Sequence, residues 1–204
     1  MPREIIKHME RDLEELIHPE KFYSRDEVLQ RNGPVPKAPG VYAWFFKETP
    51  SRVPLENGVI HDGLHLLYVG ISPSKPPRQG RLSSQNLSKR IKNHYRGNAE
   101  GSTLRLTLGC LLSERLSIEL RRVGDGKRMT FSTGESLLSD WMSENAFVAW
   151  VVHSEPWRLE DYVISRLSLP LNLKGNEKHP FHRTLISVRR QAKRRARAQS
   201  ILPK

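Results

Sequence analysis

Two residues of types that act on phosphate esters share one face of a predicted helix. Arg90 and His94 are four positions apart in a segment with helical periodicity, residues 86–95, so both side chains point the same way. An arginine can bind a phosphate through two parallel hydrogen bonds, and a histidine, which titrates near neutral pH, can relay a proton. This pair could therefore bind a phosphate and move a proton beside it.

A glutamate and two tyrosines elsewhere in the chain could complete such a site. Glu160 begins a later predicted helix and offers the hard carboxylate oxygens that hold Mg²⁺ together with waters and a substrate phosphate. Tyr42 and Tyr68 lie in two predicted strands, and because a phenol titrates near ~10, either would need a cation or a metal-linked network to act as a base. If these groups converge with Arg90 and His94, they could hydrolyse a phosphodiester, which requires an activated water and neutralised phosphate charge. Taken singly, each also has an ordinary role as a strand aromatic, a solvated helix face or an acid at a helix N-terminus.

Short strands and helices are predicted to position these groups. Aromatic and apolar runs indicate strands, and apolar stripes at helical spacing indicate helices. The predicted strands are 41–46, 64–71 and 147–153, and the predicted helices are 3–17, 24–29, 86–95, 137–144, 156–168 and 181–198. Residues 104–123 fit either one helix or a helix followed by a strand. The fold class is therefore α/β (α+β), with a small central three-stranded sheet, mixed or antiparallel, flanked by helices, with inserted segments and a basic C-terminal helix.

An ordered set of short motifs resembles the GIY-YIG nuclease superfamily. Its paired tripeptides resemble Gly40-Val41-Tyr42 and Tyr68-Val69-Gly70 of this chain, and the resemblance continues in order through Arg90, His94, Glu160 and Pro170-Leu171-Asn172. Glu160 and Asn172 are 12 positions apart, which is typical of the family. The spacings of 26 residues from Tyr42 to Tyr68 and 66 from His94 to Glu160 are longer than in compact members. Long insertions of this kind are similar to those of the restriction-endonuclease branch.

The resemblance implies a metal-dependent endonuclease that hydrolyses phosphodiester bonds. It assigns catalytic roles to Tyr42, Tyr68, Arg90, His94, Glu160 and Asn172. Glu160 would be the single protein ligand of Mg²⁺ (or Mn²⁺), and Arg90 would hold the scissile phosphate. One tyrosine would activate the water and the other would orient it. We favour Tyr42 as the activator, with His94 taking its proton, although the sequence leaves that choice open. Asn172 would hold the site together by hydrogen bonds, and Gly70 would let the backbone or substrate approach closely.

The chain is strongly basic, and its charge is concentrated at the C-terminal end. Lys and Arg number 34 against 22 Asp and Glu, which gives a formal charge of +12, and residues 178–204 contain nine Lys or Arg and no acid. A tail of this kind is typical of an arm that binds the phosphate backbone of nucleic acid. We therefore predict DNA as the partner and expect no small-molecule cofactor. The predicted substrate-binding residues are Gly70, Lys89, Arg189, Arg190, Lys193, Arg194, Arg195 and Arg197.

Length and composition limit the other classes of protein. With 204 residues the chain can form one ordinary domain with flanking arms. We predict an N-terminal helical arm at 1–36, a nuclease domain at 37–177 with insertions at 47–66 and 98–145, and a basic C-terminal helix or tail at 178–204. The single cysteine, Cys110, excludes an internal disulfide, and no apolar run has the length of a membrane span. A cytoplasmic protein without a membrane partner is expected, and a homodimer is left open.

Two alternatives share the same residues. The chain could be a catalytically inactive nucleic-acid-binding protein on the nuclease fold, because the tail holds most of the net charge. It could also be an RNA endonuclease, since the chemistry of the site would be the same. Target specificity, in every case, is expected from the insertions, the loop at 72–84 and the basic tail.

Overall fold

A computed structural model describes residues 3–75 and 83–203 of the chain. The helices are α1 (Arg3–Ile17), α2 (Arg25–Leu29), α3 (Leu87–Arg96), α4 (Thr103–Leu111), α5 (Gly134–Asn145), α6 (Pro156–Ile164) and α7 (His182–Ala198). The strands are β1 (Gly40–Phe46), β2 (Ile60–His61), β3 (Leu64–Ser72), β4 (Arg121–Val123), β5 (Arg128–Thr130) and β6 (Ala146–Val152). Residues 76–82 of the predicted loop at 72–84, residues 1–2 of the predicted arm and Lys204 of the tail lie outside the described residues.

The central sheet is antiparallel and has the strand order β2-β3-β1-β6. Its three long strands confirm the three predicted from the sequence, and the two-residue strand β2 adds a fourth at one edge. Tyr42 on β1 pairs with Gly70 on β3 and with Trp150 on β6. Residues two apart in a strand share a face, so this register puts Tyr68 diagonally beside Tyr42 on the same face of the sheet.

Each face of the sheet carries its own apolar core. The alternation along β1 sends Tyr42, Trp44 and Phe46 to one face, where the buried residues of α3, α4, α5 and α7 pack. Val41, Ala43 and Phe45 point to the other face, where α1 and α6 pack. The helix that carries Arg90 and His94 and the helix that carries Glu160 therefore lie on opposite faces of one sheet.

The region between α3 and β6 has structure of its own. Helix α4 is followed by the two-stranded sheet β4-β5, which confirms the second of the two predictions for residues 104–123. Helix α7 packs on α4 and β4 through its buried side chains Leu185, Ala192 and Ala196. The predicted basic helix is thus anchored to the body by one apolar stripe.

A helix that crosses a bilayer must be both long and apolar. None of the helices in residues 3–75 and 83–203 combines the necessary length with sufficient apolar character.

Candidate active site

A cleft of about 650 Å³ opens at the end of the sheet where β1 and β3 carry their tyrosines. Of the residues predicted to act on substrate, it is lined by Tyr42, Tyr68, Gly70, Lys89, Arg90 and Glu160. Glu160 reaches it from α6, on the far face of the sheet from α3. The cleft therefore gathers groups from both faces. Its described lining holds three cations, Lys89, Arg90 and Lys174, against the single carboxylate of Glu160.

Tyr42 and His94 form a buried pair at the base of the cleft. The hydroxyl of Tyr42 lies 2.8 Å from Nε2 of His94, and both side chains are almost completely buried. Nε of Arg90 donates a longer hydrogen bond, 3.4 Å, to the same hydroxyl. The four-residue spacing on α3 thus brings both Arg90 and His94 to one phenol, as the shared helix face predicts.

Burial keeps the side chains of Tyr42, Tyr68 and His94 uncharged at neutral pH, whereas Arg90 remains a cation. Burial raises the pKa of Tyr42 above its ordinary range, and the nearby Arg90 cation only partly opposes that effect. Burial also raises the pKa of Tyr68, with the nearby Thr103 side chain acting in the opposite direction. The pKa of His94 lies well below its usual range because of burial, with further lowering by the Arg90 and Arg105 cations. At neutral pH the cleft therefore presents two phenols, and the imidazole of His94, buried behind Tyr42, is neutral.

Gly70 is required by the position of the Tyr42 ring. A Cβ atom added at Gly70 would lie 2.4 Å from the Tyr42 hydroxyl and 2.6 Å from its Cζ. The two residues are cross-strand partners, so the ring lies directly over the glycine. Any side chain at position 70 would push the phenol out of its place beside His94.

Asn172 lies beneath the cleft and not in it. Its side chain is buried, its Oδ1 accepts a hydrogen bond from the Val69 amide at 2.9 Å, and its Nδ2 donates to the Val69 carbonyl at 2.8 Å. The amide side chain thus acts like one more strand residue beside β3. It holds the backbone between Tyr68 and Gly70.

Glu160 is a half-buried carboxyl with an elevated pKa. Burial raises that pKa to about 7, while the Lys174 cation opposes the rise and Asp161 adds to it. No cluster of three or more His, Cys, Asp or Glu able to hold a metal occurs within residues 3–75 and 83–203. Glu160 is therefore the one acidic group that the described part of the cleft could offer to a cation.

The raised pKa of Glu160 predicts that the protein is less stable at high pH than a glutamine variant. Below the ordinary pKa of 4.5 the carboxyl is protonated in the folded and the unfolded chain and has no effect. Between there and about pH 7 the folded chain keeps a proton that the unfolded chain has lost, so the free energy of unfolding falls as pH rises. We expect the free energy of unfolding of Glu160→Gln to exceed that of the parent by on the order of 2 kcal/mol at about pH 8. At about pH 4 the two free energies should be equal.

Urea unfolding without divalent ions measures this difference. Glu144→Gln is the matched control, since Glu144 is exposed and does not line the cleft. Its difference from the parent should be the same at both pH values. If the free energies of unfolding of the parent and Glu160→Gln changed with pH in parallel, the raised pKa of Glu160 would be contradicted.

A model of the GIY-YIG catalytic domain matches residues 40–192, which is most of the chain. The chain belongs to the GIY-YIG family. Domains of this family are generally nucleases that cleave phosphodiester bonds, so membership indicates nuclease activity in general. Neither the curated proteins nor the solved structures yield a match to the chain.

The basic residues of this GIY-YIG chain's last helix lie outside the described cleft. Arg190, Arg194, Arg195 and Arg197 are exposed, and Arg189 and Lys193 are half-buried. Burial lowers the pKa of Arg189, and electrostatic interaction with Cys110 and Tyr68 opposes that shift. The described cleft and the predicted basic arm are therefore separate surfaces, and Arg189 is a basic residue of the arm that interacts electrostatically with a tyrosine of the cleft.

Several groups that surround the site of this GIY-YIG domain were not predicted from the sequence. Lys174 and Asn93 line the cleft, and Ser102 contacts His94 from behind. A serine directly before a helical segment is a helix-capping signal, so the helix start at Ser102 was detectable. Its contact with His94 was not, because no periodicity relates positions 94 and 102.

Proposed function

We propose that this GIY-YIG protein is a divalent-metal-dependent endonuclease that hydrolyses phosphodiester bonds in DNA. The observation that carries the proposal is the shared cleft of Glu160, Arg90 and the two tyrosines. A carboxylate, a guanidinium and two phenols from four different elements have no structural reason to face one solvent-filled space. They have a chemical reason if a phosphate occupies it.

The residues present fit a bound Mg²⁺ or Mn²⁺. Glu160 is a lone, half-buried carboxylate. Its pKa is raised because too little positive charge lies nearby to stabilise its ionised form, and a bound cation would supply that charge. Mg²⁺ is commonly bound by one or two carboxylates, with waters and substrate phosphates completing its shell, and the cleft is wide enough for them. When bound, the ion would polarise the phosphate and stabilise the leaving oxygen.

Arg90 is proposed to hold the scissile phosphate. Its guanidinium is fixed from two sides, since Nε donates to Tyr42 and Nη1 donates to the Gly101 carbonyl at 3.2 Å. A fixed, permanently charged group costs little reorganisation as charge develops on the phosphate. Lys89 and Lys174 line the same cleft and add positive potential around it.

Tyr42 is proposed to activate the water through a two-step proton relay. Its phenol is neutral, so it cannot act as a free phenolate at neutral pH. It can pass its own proton to Nε2 of His94, 2.8 Å away, as it takes one from the attacking water. His94 is neutral, so one ring nitrogen has a free lone pair for that proton, and its lowered pKa makes the resulting imidazolium a short-lived state. Tyr68, beside Tyr42 on the same face, would orient the water.

Gly70→Ala tests the requirement for this phenol position. The new methyl would displace the Tyr42 ring from His94, so we expect the rate of cleavage to fall by about 10²-fold, the scale of an ångström-sized misplacement. The Tyr42 ring is buried, so the added methyl should also lower the free energy of unfolding by about 1 to 3 kcal/mol, and the rates are compared below the variant's unfolding midpoint. Single-turnover cleavage and a melting curve measure the two effects.

Gly63→Ala is the matched glycine control. Gly63 lies in the β2–β3 turn with φ of 75°, and no atom comes within 4 Å of an added Cβ. This variant should lose about 1 kcal/mol of stability through backbone strain and keep the parent's rate of cleavage. Equal rates for Gly70→Ala and the parent would contradict the proposed role of the Tyr42–His94 pair.

DNA is proposed as the substrate because of the basic surface beside the cleft. Arg189, Lys193 and Arg197 repeat every four residues on α7 and therefore lie along one side of that helix. Arg189, in the first half of this row, interacts electrostatically with Tyr68 of the cleft, so a nucleic acid strand bound in the cleft is proposed to extend along this side of α7.

On the composition we also propose a cytoplasmic location, with residues 37–177 as the nuclease unit between an N-terminal arm and a basic tail.

Cleavage assays distinguish this function from the two alternatives. Plasmid, linear and branched DNA, together with an RNA of matched sequence, are incubated with the protein in Mg²⁺, in Mn²⁺ and in EDTA. We expect metal-dependent cleavage of DNA. Preferential cleavage of RNA would identify an RNA endonuclease, and salt-sensitive binding without cleavage of any substrate would identify an inactive binding protein.

A further inference from the structure

The start of α4 lies directly behind the Tyr42–His94 pair. Ser102 is the N-cap residue of α4, and its Oγ accepts a hydrogen bond from the Arg105 amide at 3.1 Å. The same Oγ lies 2.7 Å from Nδ1 of His94. Both side chains are completely buried, so bulk solvent does not reach this contact.

The preceding residue holds the other functional group of α3. The carbonyl of Gly101 accepts hydrogen bonds from Nη1 of Arg90 at 3.2 Å and from Nδ2 of Asn93 at 2.8 Å. Gly101 and Ser102 therefore form one corner, which we call the α4 corner. It contacts both the guanidinium and the imidazole that the proposed mechanism uses.

A buried ion pair makes the α4 corner rigid. Arg105, in the first turn of α4, is completely buried and pairs with Glu135 on α5 at 2.7 Å. Its Nη1 also donates to the carbonyls of His94 and Tyr95. Removing one member of such a buried pair is strongly unfavourable, so the corner is held in one position relative to α3.

We propose that Ser102 is a positioning residue that fixes the orientation and the tautomer of His94. This inference rests on the proposed function, in which Nε2 of His94 takes the proton of Tyr42. Nε2 can accept only if Nδ1 carries the ring hydrogen, which requires the Ser102 oxygen, the group that faces Nδ1, to act as the acceptor. A serine oxygen has two lone pairs, so Ser102 can accept from the Arg105 amide and from Nδ1–H of His94 together.

This role changes what the region between α3 and β6 contributes. Residues 98–145 look like an insertion, and from the sequence they are expected to help recognise DNA. The α4 corner makes part of that region a component of the catalytic machinery, because it supplies the partner of His94. The insertion is therefore not removable from the domain without loss of the chemistry.

Two substitutions separate positioning from helix capping. Ser102→Ala removes the hydroxyl and the cap, whereas Ser102→Gly removes the hydroxyl and keeps a residue that is favourable at an N-cap. We expect both variants to lower kcat by about ten- to a hundredfold with KM changed less than about twofold. Ser24→Ala is the matched control, since Ser24 caps α2 in the same way and does not line the cleft. It should keep the parent's kcat.

Nitrogen-15 NMR of the histidine rings tests the tautomer without needing an active enzyme. The His94 signal is assigned as the one absent from His94→Gln. We expect a hydrogen on Nδ1 in the parent and a mixture of tautomers in Ser102→Gly. A parent ring protonated at Nε2, or a Ser102→Gly variant with the parent's kcat, would overturn the inference. A parent that cleaves no substrate would refute the proposed function alone, and the NMR result would still decide the role of Ser102.

Discussion

The Glu160→Gln variant should cleave DNA at least about a thousandfold more slowly than the parent and bind it with nearly unchanged affinity. Glutamine keeps the size of the side chain but loses the charge that would hold a divalent ion. Lewis-acid stabilisation of the transition state by such an ion is worth several kcal/mol. Loss of that stabilisation corresponds to a decrease in rate of about a thousandfold or more. Binding is proposed to depend on the basic residues, which the substitution does not touch.

Single-turnover cleavage in Mg²⁺ and binding of labelled DNA in EDTA measure the two properties separately. Glu144→Gln makes the same chemical change at an exposed position outside the described cleft and should match the parent in both. The variant is also expected to be the more stable protein at high pH, so unfolding cannot account for a loss of activity. If Glu160→Gln cleaves as fast as the parent, the proposed metal ligand is wrong.

Tyr42→Phe should lower kcat by roughly 10²- to 10⁴-fold, which is the usual contribution of a positioned acid or base. The change removes one oxygen, the atom that connects Arg90 and His94 to the proposed water. KM should change little, because the phosphate would still be held by Arg90. Steady-state kinetics with a defined duplex separates the two constants.

Tyr95→Phe is the matched control for that experiment. Tyr95 is also a buried tyrosine, is adjacent to His94, and donates its hydroxyl to the Ala146 carbonyl at 2.7 Å, outside the described cleft lining. Loss of this hydrogen bond should reduce stability by about 1 kcal/mol and leave kcat unchanged. A large effect of Tyr95→Phe together with a small effect of Tyr42→Phe would reverse our assignment of the activating phenol.

Local patterns were enough to predict most of the elements. The aromatic run at 41–46 forms β1, because its alternate side chains pack into the apolar cores on the two faces of the sheet. The segment 86–95 became α3, with Asn86 as its cap. The ambiguous stretch, 104–123, could not be resolved from periodicity, since α4 is so apolar that nearly all of it is buried.

The residues of the candidate site were identifiable from motif order, but their partners were not. Arg90 and His94 share a helix face, and the contact of both with Tyr42 follows from where α3 packs on β1. The position of Lys174 near Glu160 and the contact of Ser102 with His94 depend on loops and helix starts that no spacing rule relates. Gly70 was expected to allow a close approach, and the partner proved to be the ring of Tyr42.

The sequence by itself determined the family, the fold class and which side chains are proposed to carry chemistry, because strand alternation, helix periodicity and motif order are local properties of the chain. Only the tertiary structure decided that Glu160 reaches the cleft of Tyr42 and Tyr68 from the opposite face of the sheet. It also decided that burial leaves the phenols and the imidazole uncharged, and that the α4 corner contacts Arg90 and His94. Burial and the approach of distant segments arise from packing the whole chain at once, and no short stretch of residues contains that information.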